Sequence, residues 1–218
     1  MKIRHQLLAA ALSLCATMSV VFADPPANFM WTQTFGDEFD GTSLDQAKWG
    51  NPGTGPGGGG IINNELQCYS PSQVSVHDGK CWFKTEKATC SYGGRTLNYN
   101  SGRIDTHTKF LQQYGYFEAR CKLPRGRGLW PTFWLFGADG YAAGLPEFDI
   151  LETINQNDGA PWGHAVCYYV PLNYPNCGQG HPSSGSYWQQ GSTGNPDLSA
   201  DFHTYGLLWT HDSAQFYI

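Results

Sequence analysis

The chain has 218 residues and a formal net charge of −5 at neutral pH, with charged residues at 14 % and aromatics at 15 %. That length suits one large β domain or two small ones. An acidic balance argues against nucleic acid, whose phosphates call for Lys and Arg. Few charges beside 8 Trp and 12 Tyr suit a neutral, ring-shaped ligand such as a sugar, although most of the aromatics must fill a core.

Residues 1–23 have the pattern of a secretory signal. Lys2 and Arg4 make a basic start, Leu7 to Phe22 an apolar run, and Val21-Phe22-Ala23 a small-residue cleavage pattern. The competing reading is a membrane anchor, but the run is short for a span and carries Ser and Thr. Leu14 is too bulky to precede a lipidated Cys15. Cleavage removes two cations and no acid, so the net charge becomes −5 − 2 = −7. The expected location is extracellular or periplasmic, with no membrane association after cleavage. Cys15 leaves with the signal, and the six remaining cysteines form an even set consistent with disulfides. Six allow 15 pairings, so spacing does not determine them; Cys81 with Cys90 and Cys167 with Cys177 are the local expectations. No Cys or His pair has zinc spacing.

Past residue 24 the chain reads as short strands. Gly50 to Gly60 is glycine-rich, but Ile61-Ile62-Asn63-Asn64 follows in place of the Lys-Ser or Lys-Thr of a phosphate loop, so a loop is expected. Arg103 to Phe110 alternates in polarity. Residues 116 to 123 alternate cleanly, with Phe117, Ala119, Cys121 and Leu123 on one face and Tyr116, Glu118, Arg120 and Lys122 on the other. Phe133 to Phe136, Phe148 to Ile154, Ala165 to Val170 and Tyr205 to Trp209 are further strand candidates, and Pro171 to Pro196 is loop-rich. No long segment keeps a helical period. Many short strands broken by turns predict an all-β sandwich or barrel.

The segment Glu147-Phe148-Asp149-Ile150-Leu151-Glu152 stands apart, because three carboxylates alternate with large apolar residues. Such a strand faces a groove on one side and a core on the other. Glu147 and Asp149 share a face by the period of two, whereas Glu152 has the opposite parity. One extra residue, supplied by a β-bulge near Ile150 and Leu151, brings Glu152 back beside the other two. Paired carboxylates are the usual tools of glycoside hydrolysis, one as nucleophile or base and the other as proton donor. The competing reading is a surface strand with three solvated acids.

The segment Glu147 to Glu152 resembles the active-site signature of glycoside hydrolase family 16 in its longer, bulge-containing form. That form is typical of laminarinase-like endo-β-1,3-glucanases and also of agarases. Asp37-Glu38-Phe39-Asp40-Gly41, Asn63-Asn64-Glu65-Leu66-Gln67, Tyr114-Gly115-Tyr116-Phe117-Glu118-Ala119-Arg120, Leu129-Trp130-Pro131-Thr132-Phe133-Trp134 and Phe202-His203-Thr204-Tyr205 are similar to family blocks in the same order. The likeness covers nearly all of residues 24–218. It implies a β-jelly-roll of two curved antiparallel sheets with a sugar groove on the concave face. It also implies that Glu147 is the nucleophile, Glu152 the general acid/base, and Asp149 a neighbour bonded to the nucleophile. Asn64, Arg103, Trp130 and Trp134 match positions that line the groove; for Trp134 the competing role is core packing, for Arg103 a surface salt bridge.

Three departures accompany the likeness. Leu145 stands where many members have Trp, Cys167 stands where His is frequent, and the resemblance implies further strands beyond Ile218, making 24–218 an incomplete catalytic domain. The family often holds a structural calcium between the N- and C-terminal parts of the sandwich, and Asp37 to Asp40 lies near that end; no other cofactor is expected, and no metal ligand is assigned here. The implied activity is a secreted, monomeric, retaining endo-glycosidase acting on β-1,3- or mixed β-1,3-1,4-glucan. The alternatives are an agar-type galactan hydrolase, a transglycosylase, or a β-glucan-binding protein without catalysis.

Overall fold

A computed structural model describes residues 25–27, 29–50, 65–92, 94–137, 147–152, 164–165, 169–170, 188–189 and 198–217. The leader expected at 1–23, the glycine-rich run after Gly50, Asn64, Leu145, Cys167 and Cys177 lie outside the described residues.

The chain is all-β. In order, the strands are β1 (Gln67–Tyr69), β2 (Val74–His77), β3 (Lys80–Phe83), β4 (Cys90–Tyr92), β5 (Arg95–Leu97), β6 (Tyr99–Ser101), β7 (Gly115–Cys121), β8 (Thr132–Phe136), β9 (Glu147–Glu152), β10 (His164–Ala165), β11 (Tyr169–Val170), β12 (Trp188–Gln189), β13 (His203–Trp209) and β14 (Ala214–Tyr217). One 3₁₀ turn at Pro71–Gln73 is the only other element among the described residues. None of those residues forms a helix long and apolar enough to cross a membrane.

Two three-stranded sheets, β11-β9-β8 and β14-β13-β7, carry the core between them. The period-two pattern explains why. On β13, Tyr205 and Leu207 point inward and are 0 % exposed. Their partners across the ladder are Ala119 and Phe117 of β7, the apolar row read from the sequence. From the other sheet, Phe148, Ile150 and Leu151 of β9 meet them, with Leu123 and Leu198 closing the side. Leu198 is held there because its carbonyl accepts from the Leu123 amide at 3.3 Å. The outer row of β13 is also sheltered. Tyr116 lies opposite Leu208, meets Trp31 at a tilt and Tyr217 edge-on, and a Cβ on Gly206 would overlap the Tyr116 hydroxyl.

Several local expectations are corrected. Residues 103–110 do not form a strand. Asp105 accepts from the His107 amide at 3.1 Å, the Lys109 and Phe110 amides both reach the Thr106 carbonyl at 2.9 Å, and Thr108 adopts φ 63°. A short acceptor side chain has turned the backbone before a ladder could form. Cys90 pairs with Cys68 of β1, not with Cys81. The Glu86–Asn100 bridge draws the segment leading into β4 alongside β6, which is the partner of β1, whereas Cys81 lies mid-ladder opposite Val76. Cys81 and Cys121 are free thiols, each pushed up to about 11, first by burial. The β1–β6 pair is parallel, an exception to the antiparallel expectation. Trp188 and Gln189 form a short strand against β10 within the stretch expected to be loop.

Leu207→Ala removes a side chain at the centre of this core and is expected to lower stability by about 2–5 kcal/mol. Leu66→Ala, at a position 62 % exposed, should change it by less than about 0.5 kcal/mol. Urea unfolding of both variants checks the pair; similar midpoints would mean that the two sheets do not share one core.

Candidate active site

The site is built on the β8–β9 ladder. Phe136 pairs with Glu147, Leu135 with Phe148 and Trp134 with Asp149, and then the register shifts. Phe133 pairs with Leu151 and Thr132 with Glu152, so Ile150 is the extra residue. Directly paired residues share a face of a sheet. Phe136, Trp134 and Thr132 share one parity, so Glu147, Asp149 and Glu152 all lie on their face. Phe148 and Leu151, opposite Leu135 and Phe133, lie on the other face, and Ile150 is wholly buried with them in the core. The shift falls at the place that the parity mismatch of Glu152 predicts.

The carboxylates are not surface groups. Asp149 is 3 % and Glu152 7 % exposed, and Glu147 is half-buried. Carboxylates taken out of water need donors to offset the lost hydration. Trp130 supplies one, its indole Nε1 donating to Glu152 Oε1 at 2.9 Å. The reading of three solvated acids is therefore excluded.

Trp134 lies on the acid face, half-buried, with its ring edge-on to Phe136 at 5.3 Å. This excludes core packing as its role. The Arg103 guanidinium lies over the Trp134 ring, 5.5 Å from the centroid, at a distance where the cation is attracted to the ring face. Arg103 thereby joins the carboxylate row although it lies outside any strand.

Next to Arg103 is a polar group that sequence reasoning did not single out. The Tyr69 hydroxyl donates to Glu65 Oε1 at 3.3 Å and accepts from Gln67 Nε2 at 3.1 Å. Burial, then the Glu65 charge, raises Tyr69 above the usual tyrosine value, while Gln67 and Arg103 oppose the rise. A signal was available: Glu65, Gln67 and Tyr69 have one parity at the start of a strand, next to the expected groove residue Asn64. Of the seven residues expected in the site, Glu147, Asp149, Glu152, Trp130, Trp134 and Arg103 come together, and Asn64 lies outside the described residues.

The acidic segment at Asp37 does a different job. Asp37 Oδ1 accepts from the Phe39 amide at 2.9 Å and Oδ2 from Trp49 Nε1 at 2.7 Å. Phe39 takes φ 55° and packs on Trp49, which also meets Phe35. Each Asp37 oxygen thus accepts from a protein donor. Among the described residues no group of three or more His, Cys, Asp or Glu is placed to hold a metal ion.

The family model for the GH16 domain of β-porphyranases A–D matches residues 29–218. The chain belongs to glycoside hydrolase family 16. A glucan endo-1,3-β-glucosidase A1 from Niallia circulans is 33 % identical over 207 residues, covering 88 % of this chain and 28 % of the relative. A glucan endo-1,3-β-glucosidase from Cryptopygus antarcticus is also 33 % identical, covering 87 % of this chain and 67 % of the relative. The laminarinase catalytic domain from Thermotoga maritima superposes with a TM-score of 0.70 at 29 % identity, covering 86 % of this chain and 73 % of that domain. The fold of this family 16 chain is accordingly the β-jelly-roll sandwich of these neighbours. The chain spans well under half the length of the Niallia circulans relative.

Trp134→Ala would remove the ring on one face of which Arg103 rests and on whose other face a sugar ring could stack. About a tenfold loss of oligosaccharide affinity is expected, equal to about 1.4 kcal/mol. Calorimetric titration of a laminarin-derived oligosaccharide into the Glu147→Gln background measures it; unchanged affinity would take Trp134 out of the sugar path.

Proposed function

We propose that this family 16 chain is the catalytic domain of a secreted, retaining endo-glycosidase that hydrolyses β-1,3- or mixed β-1,3-1,4-glucan. The observation that carries the reading is the register shift at Ile150, which aligns Glu147, Asp149 and Glu152 on one face of β9. The printed activities of the glucanase and laminarinase relatives support the substrate class, and the basic-then-apolar leader at 1–23 supports export.

In the first step Glu147 attacks the anomeric carbon. The glycosidic C–O bond breaks with its electron pair passing to oxygen, and Glu152 gives that oxygen its proton. In the second step a water oxygen attacks the same carbon, Glu152 takes the water's proton, and the Glu147 ester is released. Asp149, between the two along the strand, holds Glu147 in place and sets its protonation. The Trp134 face and the donors of Arg103, with Asn64, orient the sugar. A single polysaccharide-binding catalytic domain needs no second subunit in this scheme, and the proposed form is a monomer.

A second reading has its own support, because the matching family model is described for β-porphyranases. On that reading the groove takes an agar-type galactan, and a sugar acceptor in place of water would give transglycosylation. Chromatography of products from laminarin, lichenan, agarose and porphyran separates the readings; cleavage confined to the last two would defeat the glucanase assignment.

Glu147→Gln keeps the shape and removes the attacking charge. Turnover is expected to fall at least about a thousandfold while glucan binding persists. Reducing-end release and affinity electrophoresis measure the two quantities, and wild-type turnover in the variant would remove Glu147 from the nucleophile role.

A further inference from the structure

Trp130 precedes β8 and continues its groove-facing row, sharing parity with Thr132, Trp134 and Phe136. Glu152 pairs with Thr132, so Trp130 is its diagonal neighbour, a separation that an indole can span. The backbone fixes this residue from both sides. Upstream, Gly126 and Gly128 take φ 148° and 79° in a turn closed by the Leu129 amide on the Gly126 carbonyl at 3.5 Å. Those values favour glycine. Downstream, Pro131 restricts Trp130 to extended conformations. The ring is 42 % exposed, so packing alone does not hold it, and its one polar atom is spent at 2.9 Å on Glu152 Oε1.

An indole N–H can donate and cannot accept. A protonated Oε1 is a poorer acceptor for the Trp130 hydrogen, whereas a proton on Oε2 leaves Oε1 as the better, carbonyl acceptor. We propose that Trp130 is the positioning residue for Glu152: it orients the carboxyl and confines the transferable proton to Oε2. This rests on the acid/base role proposed above for Glu152. The proton then passes from Oε2 to the glycosidic oxygen as the C–O electron pair moves onto that oxygen, and a proton from water returns to Oε2 in the second step. The indole stays bonded to Oε1 throughout, and the contact strengthens when Glu152 is ionised.

A hydrogen bond to the charged form favours that form, so losing it lets Glu152 keep its proton to higher pH. Other titratable groups around β9 are Glu147 and Asp149 on the strand itself, Arg103 over Trp134, His203 and Tyr205 on the facing β13, and His164 and Tyr169 on β10 and β11; β8 carries none. The variant leaves all of them in place.

Trp130→Phe keeps an aromatic face for sugar, of smaller area, and removes the donor. In the full chain it is expected to lower kcat for glucan about tenfold, leave KM within about twofold, and move the alkaline limb of kcat/KM upward by about half a pH unit. An aryl glycoside with a dinitrophenol leaving group, which needs little protonation, should lose far less in its glycosylation step. A purely sugar-stacking Trp130 predicts the opposite, a raised KM with the limb unmoved, and that result overturns the proposal. A parent chain that turns over no glycan removes the acid/base reading and this inference together; an active parent with an unmoved limb in the variant removes the inference alone. If the variant is too slow to assay, carbon-detected NMR titration of Glu152 in both proteins reads the same shift, and equal midpoints reject the role.

Discussion

One residue of slippage between β8 and β9 underlies the site. With strict alternation, the strand that puts Phe148 into the core would put Glu152 there too. Burying a lone carboxylate among Leu and Ile would cost several kcal/mol or force it to hold its proton. The extra residue at Ile150 resolves the conflict, since it lets Ile150 and Leu151 both serve the core while Glu152 returns to the face of Glu147 and Asp149. The bulge is thus required twice, by the packing behind the strand and by the chemistry in front of it.

The sandwich behind the strand supplies rigidity. β9 is the middle strand of its sheet and β13 the middle strand of the other, so each has ladder partners on both sides. Their facing rows hold the residues with least exposure, Ile150, Tyr205 and Leu207. Carboxylates mounted on the most constrained strand lose little freedom on meeting a substrate, which favours catalysis by positioning.

The legible parts of the sequence were those governed by one strong local rule. Alternation located β7, and the parity mismatch of Glu152 located the bulge. The illegible parts depended on partners distant in sequence. Cys68 and Cys90 meet because β1, β4 and β6 are neighbours, and no spacing encodes that neighbourhood. Residues 103–110 alternate in polarity yet turn after Asp105, which makes a single bridge to Gly50 and whose carboxylate accepts the His107 amide. Around Tyr69 the shared parity of Glu65, Gln67 and Tyr69 was legible, whereas the approach of Arg103 from a distant segment was not. On β9 the shared face of Glu147, Asp149 and Glu152 was legible and the Trp130–Glu152 contact was not: a tryptophan flanked by Leu and Pro reads equally as platform or packing until its nitrogen is located.

The guanidinium over Trp134 carries a steric corollary. At 5.5 Å from the ring centre, Arg103 leaves no thickness for a pyranose on that side. Only the reverse of the indole can serve as a floor. Which side of one aromatic is occupied thus decides where a pyranose can rest, and its direction along the face is left to the polar groups at the ring's edge.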